Sequence, residues 1–327
     1  MKTFLRTLSL AVASAVTAEF LLGDQYLNGM ASLGQQFAQL VLFTAFYGSA
    51  AVLIRELARR AQLGWPGILV LALAFGVIEE GVVTQSLFNP DYVGQHLLAY
   101  GFIPWIGTAG PWLVFVLTLH VVWSIGSPIA VMEGAFGEQP WVRHPGWLAV
   151  PAVLYVLGGA AIFFASWAAG GFMADAWQLI ATVVIAVALI VVAFTVRLRR
   201  EPLSAPGRGT GFVASLVAGL VLSGAFQLAF GLLHPFSPWL SVAGMLVVIV
   251  AGILFAFRAR PDAFGFGCGA ILTYCAVGLL LHAGPTGPAA VAEQSVLALI
   301  TLAVLATMVV RRRRHRTVEA ARVDATV

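Results

Sequence analysis

Apolar residues along this chain fall in blocks of bilayer-spanning length, separated by short polar joints. Ten such blocks lie at about 7–22, 37–57, 64–88, 110–132, 146–168, 176–196, 211–233, 238–257, 264–283 and 290–310. A helix needs roughly 20 apolar residues to cross a hydrocarbon core ~30 Å thick, so the pattern predicts an all-α, multispan transmembrane helix bundle. Gly and Pro punctuate the joints, as at Gly64-Trp65-Pro66, Asn89-Pro90, Pro145-Gly146 and Gly284-Pro285. The expected organisation is a single transmembrane domain over 1–310 and a basic tail over 311–327. The longest joint, about Asn89 to Thr108, carries Tyr92, Tyr100 and Trp105, which suit headgroup level or an interfacial lid.

Charge placement sets the orientation. Lys2 and Arg6 precede the first block, Arg55, Arg59 and Arg60 close the second, and Arg143 follows the fourth. Arg197, Arg199, Arg200 and Arg208 follow the sixth, and Arg258 and Arg260 the eighth. Arg311 to Arg314, Arg316 and Arg322 follow the tenth. Threaded through ten crossings, all 18 Lys and Arg reach the same side. Excess Lys and Arg mark the cytoplasmic loops, so both termini are expected in the cytoplasm. One helix more or fewer would scatter the charges over both sides. The heavy use of Arg over Lys fits a high-GC bacterial genome, and hence a bacterial plasma membrane. Lys2, Arg6, the apolar run to Ala18 and Val16-Thr17-Ala18 also fit a secretory signal with its cleavage site. Cleavage would leave nine helices and every other orientation unchanged.

Composition agrees with the block pattern. The chain is 60% hydrophobic and 10% charged, against roughly 25% charged in soluble domains. The lipid bilayer is therefore its solvent. The Arg311–Arg316 run sits directly after a helix, where anionic lipid headgroups attract such charges by about 1 kcal/mol each; nucleic-acid binding is not expected. Cys268 and Cys275 share one apolar face and suit packing. No nucleotide loop, haem motif or metal-ligand spacing occurs, so neither a cofactor nor a metal is expected.

Ionisable residues within the blocks stand out, since each costs roughly 2.5–3.5 kcal/mol at a helix centre. Glu79 and Glu80 lie in the third block and His120 in the fourth, both toward the outer side. The two helices are consecutive and antiparallel, so the three side chains are candidates for one proton-handling or catalytic cluster. Ala72, Gly76, Glu80 and Thr84 form a small and polar stripe that would let another helix approach closely. Glu79 lies about 100° from Glu80 on an α-helix, so the two need not face one partner. His120, Ser124 and Ser127 share a face, and Pro128 frees the Ser124 carbonyl beside it. Glu19, Gln85 and Ser124 are the secondary binding candidates. Glu19, Asp24, His234, His282 and Glu293 also gather toward the outer side. Arg55, Glu56 and Glu133 lie at the inner ends, where a surface or local pairing role is expected. The bland alternative is that Glu79, Glu80 and His120 lock helices together.

Ile78-Glu79-Glu80-Gly81, followed by His120 on the next helix, resembles the CAAX-protease and bacteriocin-processing family. The resemblance implies an intramembrane hydrolase in which Glu79 or Glu80 activates water and His120 orients it. Thr84 stands where that family's motif has Arg, and Val116 where its histidine motif has an aromatic residue. The stretch from Tyr47 to Pro90, with Ile54-Arg55-Glu56-Leu57 and Gln85-Ser86-Leu87-Phe88-Asn89-Pro90, is similar to bacterial membrane proteins without assigned activity. Ten helices with both ends inside resemble the drug/metabolite transporter superfamily with its inverted repeat, although residues 1–170 and 175–310 show no sequence similarity. Intramembrane carboxylates suit a proton relay without further residues. Small-molecule or proton-linked transport is therefore the expectation ahead of hydrolysis, with the substrate unidentified.

Overall fold

Backbone amides and carbonyls in hydrocarbon must be satisfied within their own segment, and helices do this. The computed structural model describes residues 2–23, 32–196, 209–282 and 287–324. Ten helical stretches occur among them. The first, α1, runs Lys2–Ala15 and continues into a π turn at Val16–Phe20. The next five are α2 (Leu33–Arg60), α3 (Trp65–Val83), α4 (Gly110–Phe136), α5 (Pro145–Gly170) and α6 (Ala176–Thr195). The last four are α7 (Phe212–Leu233), α8 (Pro238–Ala259), α9 (Ala263–His282) and α10 (Gly287–Asp324). Nine of the described helices, α2 to α10, are long and apolar enough to cross a membrane. The protein is an all-α multispan bundle. A single short hairpin, β1 (Phe102–Ile103) with β2 (Thr108–Ala109), lies in the joint before α4.

Burial separates inner from outer helices. In their most apolar windows α3 and α4 are 67% buried and α9 is 61%, whereas α8 is 11% and α10 17%. Large apolar side chains such as Val247, Phe257 and Leu299 point outward, as lipid-facing surface should. One core joins α1 to α5 around Phe46, Tyr47, Phe75, Ile125 and Ile129. A second joins α4 to α7, α9 and α10 around Trp123, Phe226, Met245 and Tyr274. α4 serves both. Trp123 stacks on Tyr274 with centroids 4.4 Å apart, and its indole N–H donates to the Ala270 carbonyl at 2.8 Å. Cys268 and Cys275 are free and buried in this second core.

Of the surface or local-pairing roles expected for Arg55, Glu56 and Glu133, the structure has pairing, and in the interior: Arg55 and Glu56 are fully buried and Glu133 is 4% exposed. Glu133 holds Arg55 at 3.0 Å and Arg59 at 2.7 Å. Glu56 accepts the Trp141 and Val142 amides at 2.9 and 3.2 Å, and Arg55 donates to the Gly137 and Gln139 carbonyls. Arg55 also lies under the Trp141 ring, 3.5 Å from its centroid. The loop 137–142 folds back over the end of α2 and buries the charges it satisfies. The residues after Arg311 continue α10 as helix to Asp324.

Candidate functional site

A π turn ends α1 and α3, at Val16–Phe20 and Glu79–Val83, and another interrupts α2 and α4, at Thr44–Gly48 and His120–Gly126. Such turns are rare and concentrate at functional sites. Here they surround one polar cluster on the arginine-free side of the bundle. The π turn of α3 begins at Glu79 and winds less per residue than an α-helix, which lets Glu79 and Glu80 converge. His120 opens the π turn of α4. A side chain at Gly76 would put its Cβ 2.9 Å from the His120 Cβ, so the missing side chain there lets the imidazole approach α3.

The predicted trio meets. His120 Nε2 lies 2.6 Å from Glu80 Oε1 and 2.9 Å from Glu79 Oε2. All three residues are buried. Their ligating atoms lie within 4.8 Å of one another, a spacing that can hold a metal ion. The far atom of each residue has its own hydroxyl partner. Tyr47 donates to Glu79 Oε1 at 2.9 Å, and Ser124 Oγ lies 3.2 Å from His120 Nδ1. Ser86 donates to Glu80 Oε2, which Thr84 also approaches at 3.3 Å. The Trp112 indole N–H in turn donates to Ser86 Oγ at 3.0 Å.

One atom is left over. Nε2 carries at most one proton and aligns as a hydrogen bond with Glu80. Glu79 Oε2, in a side chain 2% exposed, has no hydrogen-bond partner. A buried carboxylate oxygen without a donor costs more than an ordinary lost hydrogen bond. Two carboxylates thus share one imidazole nitrogen.

The secondary candidates separate. Ser124 joins the cluster through Nδ1. Its carbonyl, freed by Pro128, accepts from Ser14 of α1 at 2.5 Å, and the Trp123 carbonyl accepts from Thr17 at 2.9 Å. Glu19 is half-buried and lies beside the Tyr47 hydroxyl. Gln85 does not join. Its backbone is left-handed (φ 57°), and its side chain accepts the Ala174 amide at 2.6 Å, clasping the end of α3 to the α5–α6 joint. That reversal carries Ser86 back to Glu80. Glu293 accepts from Gln36 at 3.0 Å, and His234 packs on Tyr100, both away from the cluster. Asp24 and the basic residues 197–208 lie outside the described residues, as do the side chains of His282 and Arg316.

Sequence reasoning missed Tyr47, Ser86 and Trp112, and named Tyr92 only as an interfacial or lid residue. Tyr92 follows α3 in the loop, and burial, then the carboxylates of Glu80, Glu79 and Glu19, push its hydroxyl well above the ordinary tyrosine range.

An uncharacterized membrane protein family matches residues 8–325, nearly the whole chain. The protein belongs to that family. The likeness to the CAAX-protease family is not shown by this match. No curated protein and no solved structure matches the chain significantly.

Proposed function

We propose that this family member is a transport protein of the bacterial plasma membrane, and that Glu79, Glu80 and His120 form the intramembrane site at which a cation, a proton in the simplest case, is taken up. The observation that carries the reading is Glu79 Oε2, buried and without an aligned hydrogen bond, which faces His120 Nε2 at 2.9 Å beside Glu80 Oε1. Two carboxylates against one imidazole leave a deficit of positive charge in a medium that penalises any unbalanced charge heavily. The Ser86–Trp112 chain and Tyr92 supply polar steps from the arginine-free face.

Both termini face the cytoplasm in this reading, because every Lys and Arg falls on one side of the threaded chain. The cluster then lies in the outer half. The tail at Arg311–Arg316 meets anionic headgroups, with Arg312 also held by Asp262 and Arg311 lying 4.2 Å from the Phe136 ring centroid.

Charge displacement on a solid-supported membrane tests the proposal without knowledge of the substrate. A pH step should drive a transient current in proteoliposomes of the wild type and none with Glu79→Gln. Equal currents in both would remove the cluster from the transport path.

A further inference from the structure

Deepening the cation-site reading, on which this inference rests, we propose that Glu79, Glu80 and His120 bind a divalent first-row transition-metal ion, with Glu79 Oε2, Glu80 Oε1 and His120 Nε2 as its three protein ligands.

The donor set is complete on its outer side and open on its inner side. Tyr47 occupies Glu79 Oε1, while Ser86 and Thr84 serve Glu80 Oε2. Ser124 occupies His120 Nδ1. An Nδ1–H donating to Ser124 leaves the Nε2 lone pair free, the state a metal ligand requires. Hydroxyl partners of this kind fix ligand orientation in metal sites. The three remaining atoms converge on one point, and one of them, the nine-tenths-buried Glu79 Oε2, has no hydrogen-bond partner.

Charge decides between monovalent and divalent occupants. Two carboxylates, a neutral imidazole and a divalent ion sum to zero, the balance a low-dielectric site favours. A single monovalent ion leaves one negative charge uncompensated. Imidazole nitrogen beside two carboxylate oxygens suits zinc, iron or manganese, whereas magnesium and calcium prefer oxygen alone. Ligand atoms about a tetrahedral zinc at ~2.0 Å stand roughly 3.3 Å apart. The observed 2.6 and 2.9 Å contacts therefore open by about half an ångström on binding. The π turns on both helices place the ligands where the backbone is least tightly wound. Three ligands leave positions for water or a transported group.

Isothermal titration of the chelator-treated, detergent-purified chain with zinc and with manganese tests this. One saturable ion per chain is expected, with magnesium unable to compete. Glu79→Gln and Glu80→Gln should abolish that binding. Tyr47→Phe and Ser124→Ala, which touch only the outer atoms, should weaken it roughly 10–100-fold. X-ray absorption of the bound ion should show only nitrogen and oxygen neighbours. Thermal unfolding of Glu79→Gln confirms that the variant folds. Absence of saturable binding in the wild type, or undiminished binding in folded Glu79→Gln, overturns the proposal. Proton-driven currents that persist without any metal binding would sink the metal site alone. Metal binding without any current would support the metal site and remove the transport role.

Discussion

Glu80 and His120, forty positions apart in sequence, meet at 2.6 Å between Oε1 and Nε2 in the interior of the bundle. The contact joins the π turns of α3 and α4, and the second carboxylate, Glu79, closes on the same nitrogen at 2.9 Å. The three groups act on one another, so single substitutions should have unequal and opposite effects.

Glu79→Gln removes one of two facing carboxylates and supplies an amide donor. It should leave thermal stability unchanged or raised while abolishing cation uptake. His120→Ala leaves two buried carboxylates facing each other without their partner, which costs about 3–5 kcal/mol. Thermal unfolding in detergent checks the ordering. A less stable Glu79→Gln would show that its carboxylate is already fully compensated.

Tyr47→Phe deletes the donor to Glu79 Oε1 and keeps the ring, which lies against His120 with centroids 5.9 Å apart and planes 19° apart. The loss of one buried hydrogen bond should cost about 1–3 kcal/mol. Uptake should fall while the fold, followed by circular dichroism, persists. Unchanged uptake would mean that the hydroxyl does not orient Glu79.

Gly76→Ala sets a new methyl 2.9 Å from the His120 Cβ, between two helices that cannot separate without opening the core. Overpacking of this kind costs about 1–3 kcal/mol and should displace the imidazole. Gly224→Ala meets no atom within 4 Å and serves as the control. There alanine should stabilise the helix slightly, by about 0.5–1 kcal/mol. Equal melting temperatures for the two variants would contradict the close approach at Gly76.

Glu133→Ala strips Arg55 and Arg59 of their shared carboxylate at the other end of the bundle. An uncompensated buried charge should cost about 3–5 kcal/mol. Glu133→Gln, which keeps an acceptor, should cost less. Neither touches the cluster, so cation uptake per folded molecule should be retained in both. A selective loss of uptake in folded Glu133→Gln would tie the arginine network to the transport site.

Block length and charge placement made the helical membrane architecture legible before any coordinates. Glu79, Glu80 and His120 were legible because charge in hydrocarbon is costly wherever it occurs. Tyr47 and Ser86 were not, since an aromatic residue in an apolar helix and a serine after one look ordinary until folding brings them to a carboxylate. Gln85 pointed the other way: its polarity marked it as a binding group, yet its left-handed backbone makes it a clasp. The π turns left no trace in the apolar pattern, and they are what bring Glu79 and Glu80 onto one partner. Arg55, Glu56 and Glu133 read as surface or locally paired charges by their place at block ends. Only the return of the loop 137–142 buries them.

The most direct test of the account is the charge displaced on a solid-supported membrane when wild-type proteoliposomes meet a step in pH. A cation entering at Glu79, Glu80 and His120 should move charge in the wild type and in Gly224→Ala, and none in folded Glu79→Gln. Displacement of equal size in Glu79→Gln, or none in the wild type, would contradict an intramembrane cation site at this cluster.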